Sequence, residues 1–202
     1  METQKYYSEY PLVSVLIPTY NGERYISEAL LSVLQQTYPN IEIVVSDDAS
    51  KDYTIDVVQT FQDKEDIPHP IKLITNQTNQ GIAKNMNRGL EECNGKYIAI
   101  LDQDDYWIDN SKLTQQIEFL EENPEYGIVG TQRDILRANQ RTSSLLPTTD
   151  QQIRAFIPKF CPFQHSAVCY HKALGQEVQG YNARYHCTMD TDFFYKLLQK
   201  SQ

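Results

Sequence analysis

No run of apolar residues in this sequence approaches the ~20 that a membrane-spanning helix needs. The opening stretch METQKYYSEY is polar and lacks the apolar segment of a secretory leader. Both absences point to a cytoplasmic protein, one that can still meet a membrane-bound acceptor from the inner face. Three signatures are also missing. There is no GxGxxG after the first apolar run, which argues against a dinucleotide dehydrogenase. There is no GxxxxGK[ST], which removes the P-loop nucleotidases. There is no GxSxG elbow for a serine hydrolase. Positive charge is scarce: 18 Lys and Arg stand against 27 Asp and Glu, a net charge of -9. Such a chain repels phosphate backbones at long range, which disfavours a nucleic-acid partner. The four cysteines form no CxxC pair and read as reduced thiols. Cys161, His165, Cys169 and His171 could be metal ligands, but their spacing is not that of a common zinc module. The same alternation is expected of one face of a half-buried strand.

What the sequence does contain is ordinary globular material. Its 202 residues are 40% hydrophobic and 22% charged, enough for one domain, or one domain with a small appendage, with a core that needs no disulfides. The first half alternates strand and helix. Val13–Ile17 is an apolar run stopped by Pro18, and Ile26, Ala29, Leu30, Val33 and Leu34 then recur at helical spacing. Ile41–Val45 is a second strand, followed by a helix carrying Ile55, Val58 and Phe61, with Ser50 or Asp52 able to cap it. Ile71–Ile74 is a third strand, and Ile82, Met86, Leu90 and Cys93 share a helix face closed by Asn94-Gly95. Tyr97–Leu101 is a fourth strand, and Leu113, Ile117 and Leu120 mark the next helix. Near-continuous apolar strands between helices imply a mostly parallel sheet covered on both faces, an α/β fold. Beyond Ile128 the alternation fades. Residues 137–149 read as a polar, irregular loop, Phe163–Tyr170 as a strand, and residues 189–200 as a helix.

In such sheets ligands bind at the carboxyl ends of the strands. Three polar clusters fall there: Pro18-Thr19-Tyr20-Asn21, Asp47-Asp48, and Asp102-Gln103-Asp104-Asp105. Closely spaced carboxylates in a turn suit magnesium or manganese, hard cations that also bind substrate phosphates. A calcium loop of the EF-hand type is disfavoured, because Tyr106 and Trp107 stand where it wants an Asp or Asn and a glycine. A carboxylate of Asp47 or Asp48 could accept from a base N–H or a ribose hydroxyl, and helix capping competes for it. Trp107 could stack on a sugar or simply fill the core. His165 could border a ligand or be a half-buried histidine.

Three blocks resemble a known family: VSVLIPTYNGERYISEALLSVLQQTYPNIEIVVSDDAS, then NQGIAKNMNRGLEECNGKYIAILDQDD, then MDTDF. They are similar to the family 2 glycosyltransferases, inverting enzymes of the GT-A fold, over about Val13 to Leu198. The resemblance implies one GT-A domain over 1–202, with a Rossmann-like, mostly parallel sheet. Residues 1–130 would form the nucleotide half, and 131–202 the acceptor and catalytic-base half, complete or trimmed at its C-terminus. It implies that Pro18, Thr19 and Tyr20 line the nucleotide pocket, and that Asp47 or Asp48 meets the uracil or thymine ring or its ribose. Asp102 and Asp104 would form a DxD motif. Asp104 would bind manganese or magnesium, and Asp102 would face the ribose or the metal's waters. His165 would border the donor sugar. Asp190 would be the general base, with Asp192 in reserve; Met189 departs from the family's usual glutamate. The implied partners are a nucleotide sugar and a saccharide or lipid-linked acceptor, in surface polysaccharide or glycoconjugate synthesis. Two rival readings are a sugar-phosphate nucleotidyltransferase, disfavoured by the single glycine of PTYNGERY, and a non-catalytic nucleotide-sugar binder.

Overall fold

The structure is a computed structural model, and it describes residues 10–137, 140–157, 159–185 and 187–201. Residues 1–9, on which the reading of a missing leader rests, lie outside it, as do residues 138 and 139 of the 137–149 segment. Among the described residues, no helix is long and apolar enough to cross a membrane.

Four parallel strands form the centre: β1 (Val13–Thr19), β2 (Ile41–Asp47), β3 (Ile71–Thr75) and β4 (Tyr97–Ile100). Two short strands, β5 (Ile128–Val129) and β8 (Cys169–His171), complete a six-stranded sheet in the order β3-β2-β1-β4-β8-β5. β8 runs antiparallel to both β4 and β5. Chain order reverses between β1 and β4, so the loops leaving these two strands diverge and open a crevice at the carboxyl edge.

The strands hold because both faces are buried. Val13, Val15 and Ile17 of β1 pack with α1 (Ile26–Leu34), α2 (Thr54–Gln62) and α4 (Lys112–Glu122). Leu16, Ile98 and Ile100 face the other way, against α3 (Ile82–Glu92) and the last helix, α7 (Met189–Lys200). The alternating side chains of one strand thus serve two cores, as a parallel sheet between helix layers requires. Two shorter helices, α5 (Asp150–Phe156) and α6 (Lys172–Glu177), lie in the second half.

Four expectations need correction. Pro18 does not stop β1, which pairs through to Thr19. Residues 137–149 are irregular only in part: β6 (Arg133–Arg137) and β7 (Gln140–Ser144) pair as antiparallel strands, and 145–149 carry no regular element. The strand expected over Phe163–Tyr170 is confined to β8, because a 3-10 turn takes His165–Ala167. Asn94-Gly95 does not close α3 with a left-handed cap. The helix ends at Cys93 in extended backbone, and Gly95 serves a close approach, since a Cβ there would meet Ser14 N at 2.5 Å.

Candidate active site

A cavity of about 430 Å³ opens at the crevice between β1 and β4. Pro18, Thr19 and Tyr20 form one wall, at the end of β1. Asp102 and Asp104 follow β4 on the other side. Asp48, His165 and Asp190 also reach the cavity, from three separate elements. Asp47 and Asp192 do not line it, nor do Asn21, Asp105 and Trp107.

Local hydrogen bonds explain the sorting. Asp47 is fully buried and turns back on its own loop, accepting from Ser50 N at 3.0 Å and from the Ser50 hydroxyl. It closes the turn in which Ala49 takes a left-handed φ of 63°. Asp48 instead accepts from Asn76 Nδ2 at 2.7 Å and from the backbone of Gln80 and Gly81, each at 2.8 Å. That carboxylate fixes the loop entering α3, so Asn79 and Gly81 also border the cavity. The β1 loop is tied to the β2 loop through Asn21, whose N–H donates to Ser50 Oγ at 2.8 Å.

Gln103, the spacer of the acidic motif, joins two walls. Its Oε1 accepts from Tyr20 N at 2.9 Å and from the Thr19 hydroxyl, and its Nε2 donates to Tyr20 O at 3.2 Å. A Cβ on Gly22 would collide with this amide. Nothing in local sequence pattern reveals the clamp, because its partners are 83 and 84 residues away.

The acidic loop splits its three carboxylates among three tasks. Asp102 accepts from His165 Nδ1 at 2.8 Å. Burial alone would raise this carboxyl; the adjacent His165, with help from Ser166, holds it below the ordinary range. Burial disfavours charge on His165 in turn, but Asp102, with Asp190 and Asp105 nearby, draws its pKa above the usual value. The second nitrogen, Nε2, pairs with the Tyr181 hydroxyl at 2.9 Å. Both ring nitrogens are therefore used, and His165 orients Asp102 at the edge of the cavity. Asp105 accepts from Ser166 Oγ at 2.5 Å.

Asp104 is exposed at the cavity mouth. Partial desolvation raises its carboxyl, its own backbone N–H counters that, and the neighbouring Asp105 and Asp102 add repulsion. Its oxygens and those of Asp102 face one cavity and are hard donors suited to a divalent ion that a substrate diphosphate would complete; among the described residues no three acidic, histidine or cysteine side chains form a ligand set by themselves. Asp104 and Asp102 are the residues that would hold the ion.

Asp190 lies in the first turn of α7, half-buried, with Thr191 N donating to it at 2.7 Å. Asp192, two residues on, is turned to Lys196 at 2.6 Å. Met189 is buried among the apolar side chains of α7 and its neighbours, an environment that accepts a thioether and would penalise a carboxylate. The cysteine and histidine series separates. Cys161 bonds Phe163 O at 3.2 Å, Cys169 is buried in the core, His165 serves Asp102, and His171 packs on Tyr97 at 4.7 Å between ring centroids. Trp107 is mostly core, with Nε1 donating to Ser166 O at 2.7 Å.

Comparison with known proteins agrees with this architecture. The profile of a family described as Glycosyl transferase family 2 matches residues 14–179. A protein of Bacillus subtilis named "Putative glycosyltransferase EpsE" is 32% identical over 174 residues, covering 86% of this chain and 61% of that protein. WfgD of Escherichia coli, a UDP-Glc:alpha-D-GlcNAc-diphosphoundecaprenol beta-1,3-glucosyltransferase, is 45% identical over 112 residues, 55% of this chain and 42% of its own length. The crystal structure of S. aureus TarS 1-349 in complex with UDP superposes with a TM-score of 0.79 at 25% identity, covering 95% of this chain and 56% of that one. The chain spans about half the length of the curated relatives it matches.

Proposed function

The chain belongs to glycosyl transferase family 2, and from that premise we propose that it transfers a sugar, with inversion, from a UDP- or dTDP-sugar to a hydroxyl acceptor in surface polysaccharide or glycoconjugate synthesis. The observation that carries this reading is the convergence of Tyr20, Asp48, Asp102, Asp104 and Asp190 on one cavity at the reversal of strand order. Residues 1–130 supply the nucleotide-facing loops, and 131–202 supply His165 and Asp190 to the same cleft.

Each side chain then has one task. Pro18, Thr19 and Tyr20 flank the base. Asp48 holds the loop over the ribose side with three of its acceptor positions and keeps about one free for a base N–H or a ribose hydroxyl. Asp102, oriented by His165, and Asp104 hold a magnesium or manganese ion. When bound, the ion supplies positive charge against the departing nucleoside diphosphate. Asp190 takes the proton of the acceptor hydroxyl as its oxygen attacks the anomeric carbon. The bond to the diphosphate oxygen breaks on the opposite side, which inverts the centre. The acceptor we propose is a saccharide, free or carried on a lipid diphosphate as in the reaction named for WfgD, met at the cytoplasmic face of a membrane.

A panel of nucleotide sugars tests this, read as metal-dependent transfer to water, which reports the donor before the acceptor is known. One donor should be hydrolysed, with release of nucleoside diphosphate. Asp104→Asn should remove most of that activity and most of the metal-dependent gain in UDP affinity, because a neutral amide is a poor ligand for a hard cation. Release of inorganic diphosphate from a nucleoside triphosphate would instead make the chain a nucleotidyltransferase. UDP binding that ignores both chelator and Asp104→Asn would remove the metal from the account.

A further inference from the structure

A second, larger cavity of about 980 Å³ adjoins the first at Asp104 and runs between the acidic loop, α4 and the β6–β7 hairpin. Its charged lining is unevenly satisfied. Asp105 is engaged by Ser166. Asp109 accepts from Ser111 N at 2.8 Å and Oγ at 2.7 Å. Asp134 is paired with Arg141 and accepts from Ser143 at 2.6 Å. Among the described residues, two basic side chains on the same walls have no carboxylate partner. Lys112 is buried, 6% exposed, with its ammonium bonded to Gln116 Oε1 at 2.7 Å and set 4.0 Å from the centre of the Trp107 ring. Arg133 gives one guanidinium N–H to Gln164, and its Nε is buried with no acceptor. With Asp104 assigned to the metal, the charge left unspent in this cavity is that of Arg133, joined by Lys112 when an entering anion restores its proton. An unpaired buried donor and an ammonium without a counter-charge are both costly, and an anion would relieve both.

The rim is different in kind. Ile108, Leu136 and Leu145 line the cavity and are 62%, 56% and 88% exposed. Large apolar side chains gathered at the mouth of a cavity mark a surface that meets an apolar partner. Cations within and apolar side chains at the mouth match an amphiphile whose anionic head enters first. We propose that this second cavity binds the phosphate-bearing head of a lipid-linked acceptor, with Arg133 and Lys112 on the phosphates and Ile108, Leu136 and Leu145 against the start of the hydrocarbon chain. The inference rests on the transfer reading above and places its acceptor beside Asp104, within reach of the donor cleft.

Trp107, the chain's one tryptophan, lines this cavity and reports on it. The probe is farnesyl diphosphate, titrated into the full chain with saturating UDP and magnesium present and followed by Trp107 fluorescence. Farnesol and inorganic diphosphate are the separating arms. A saturable change is expected with farnesyl diphosphate, at least about tenfold tighter than with either part alone. Arg133→Gln and Lys112→Met should each weaken it by about tenfold, the usual size of a lost charge-assisted contact. Lys112→Met removes a buried charge and retains the fold, which circular dichroism checks. Equal binding of farnesol, equal binding of inorganic diphosphate, loss of the signal on adding UDP, or indifference to both substitutions would each overturn the proposal. UDP affinity is measured alongside. If the wild-type chain bound no UDP, the transfer reading would fall, while the Trp107 titration would still decide the cavity.

Discussion

At the scale of single residues, Lys112 and the Asp47-Asp48 pair separate what the fold needs from what the site needs. Burial lowers the Lys112 ammonium from its ordinary 10.5 to about 7. Between those values the unfolded chain keeps the proton and the native chain has lost it, so native stability rises with pH across that window. The penalty is complete below pH 7. Lys112→Met should therefore stabilise the protein most at pH 6, by a few kcal/mol at the order-of-magnitude level, with the advantage shrinking toward pH 10. Denaturant melts at several pH values check this; a gap independent of pH would show that the lysine is not buried as a charge. For the aspartates, Asp47→Ala should cost about 1–3 kcal/mol of stability by stranding Ser50 N. Asp48→Ala frees Gln80 and Gly81 and should weaken UDP by about tenfold or more. If calorimetry found Asp47→Ala to be the variant that loses UDP while keeping its melting point, the two roles would be exchanged.

At the scale of elements, legibility followed burial. β1, β2 and β4 were readable because both faces are covered and the residues run apolar almost without interruption. α7 was readable because Phe194, Leu197 and Leu198 recur on its buried face. The β6–β7 hairpin was not, since β7 is largely exposed and its residues QRTSS carry no inward face to alternate. The 3-10 turn at His165–Ala167 was hidden for the opposite reason. Its residues are all buried and pass for a strand, while what bends them is the set of contacts to Asp102, Asp105 and Tyr181 from distant parts of the chain. The site showed the same division. Carboxylates at strand ends could be listed from the sequence, but which of Asp47 and Asp48 faces the cleft depends on Ser50 and on a loop some thirty residues further on. The packing of α3 on the sheet offers a test at this scale. Gly89 lies in the middle of α3, where a Cβ would collide with Leu16 and sit 3.1 Å from Ser46 Cβ. Alanine would gain up to ~1 kcal/mol of helix propensity, against the ~1–3 kcal/mol of overpacking a filled core. Gly89→Ala should lower the melting temperature by a few degrees, and a higher one would show that the helix can ride away from β1.

At the scale of the whole molecule, the net charge of -9 opposes the approach of a nucleotide diphosphate. Under the proposed function the cleft would overcome this repulsion with a divalent cation at Asp102 and Asp104, and the adjoining cavity with Arg133 and Lys112. The sheet makes the geometry possible. Its order reverses between β1 and β4, and β8 closes on β4 so that His165 is brought against Asp102 and the start of α7 faces the same opening. Under the proposed function this opening is a catalytic centre with Asp190 as its base. The most direct measurement sets Asp190→Asn beside Asp192→Asn, each assayed for sugar transfer and for donor affinity. The account predicts that Asp190→Asn binds donor as before and loses transfer by about a hundredfold or more, while Asp192→Asn, which breaks only the pair with Lys196, is mild. Near-normal transfer by Asp190→Asn, or a dead Asp192→Asn that still binds donor, would contradict it.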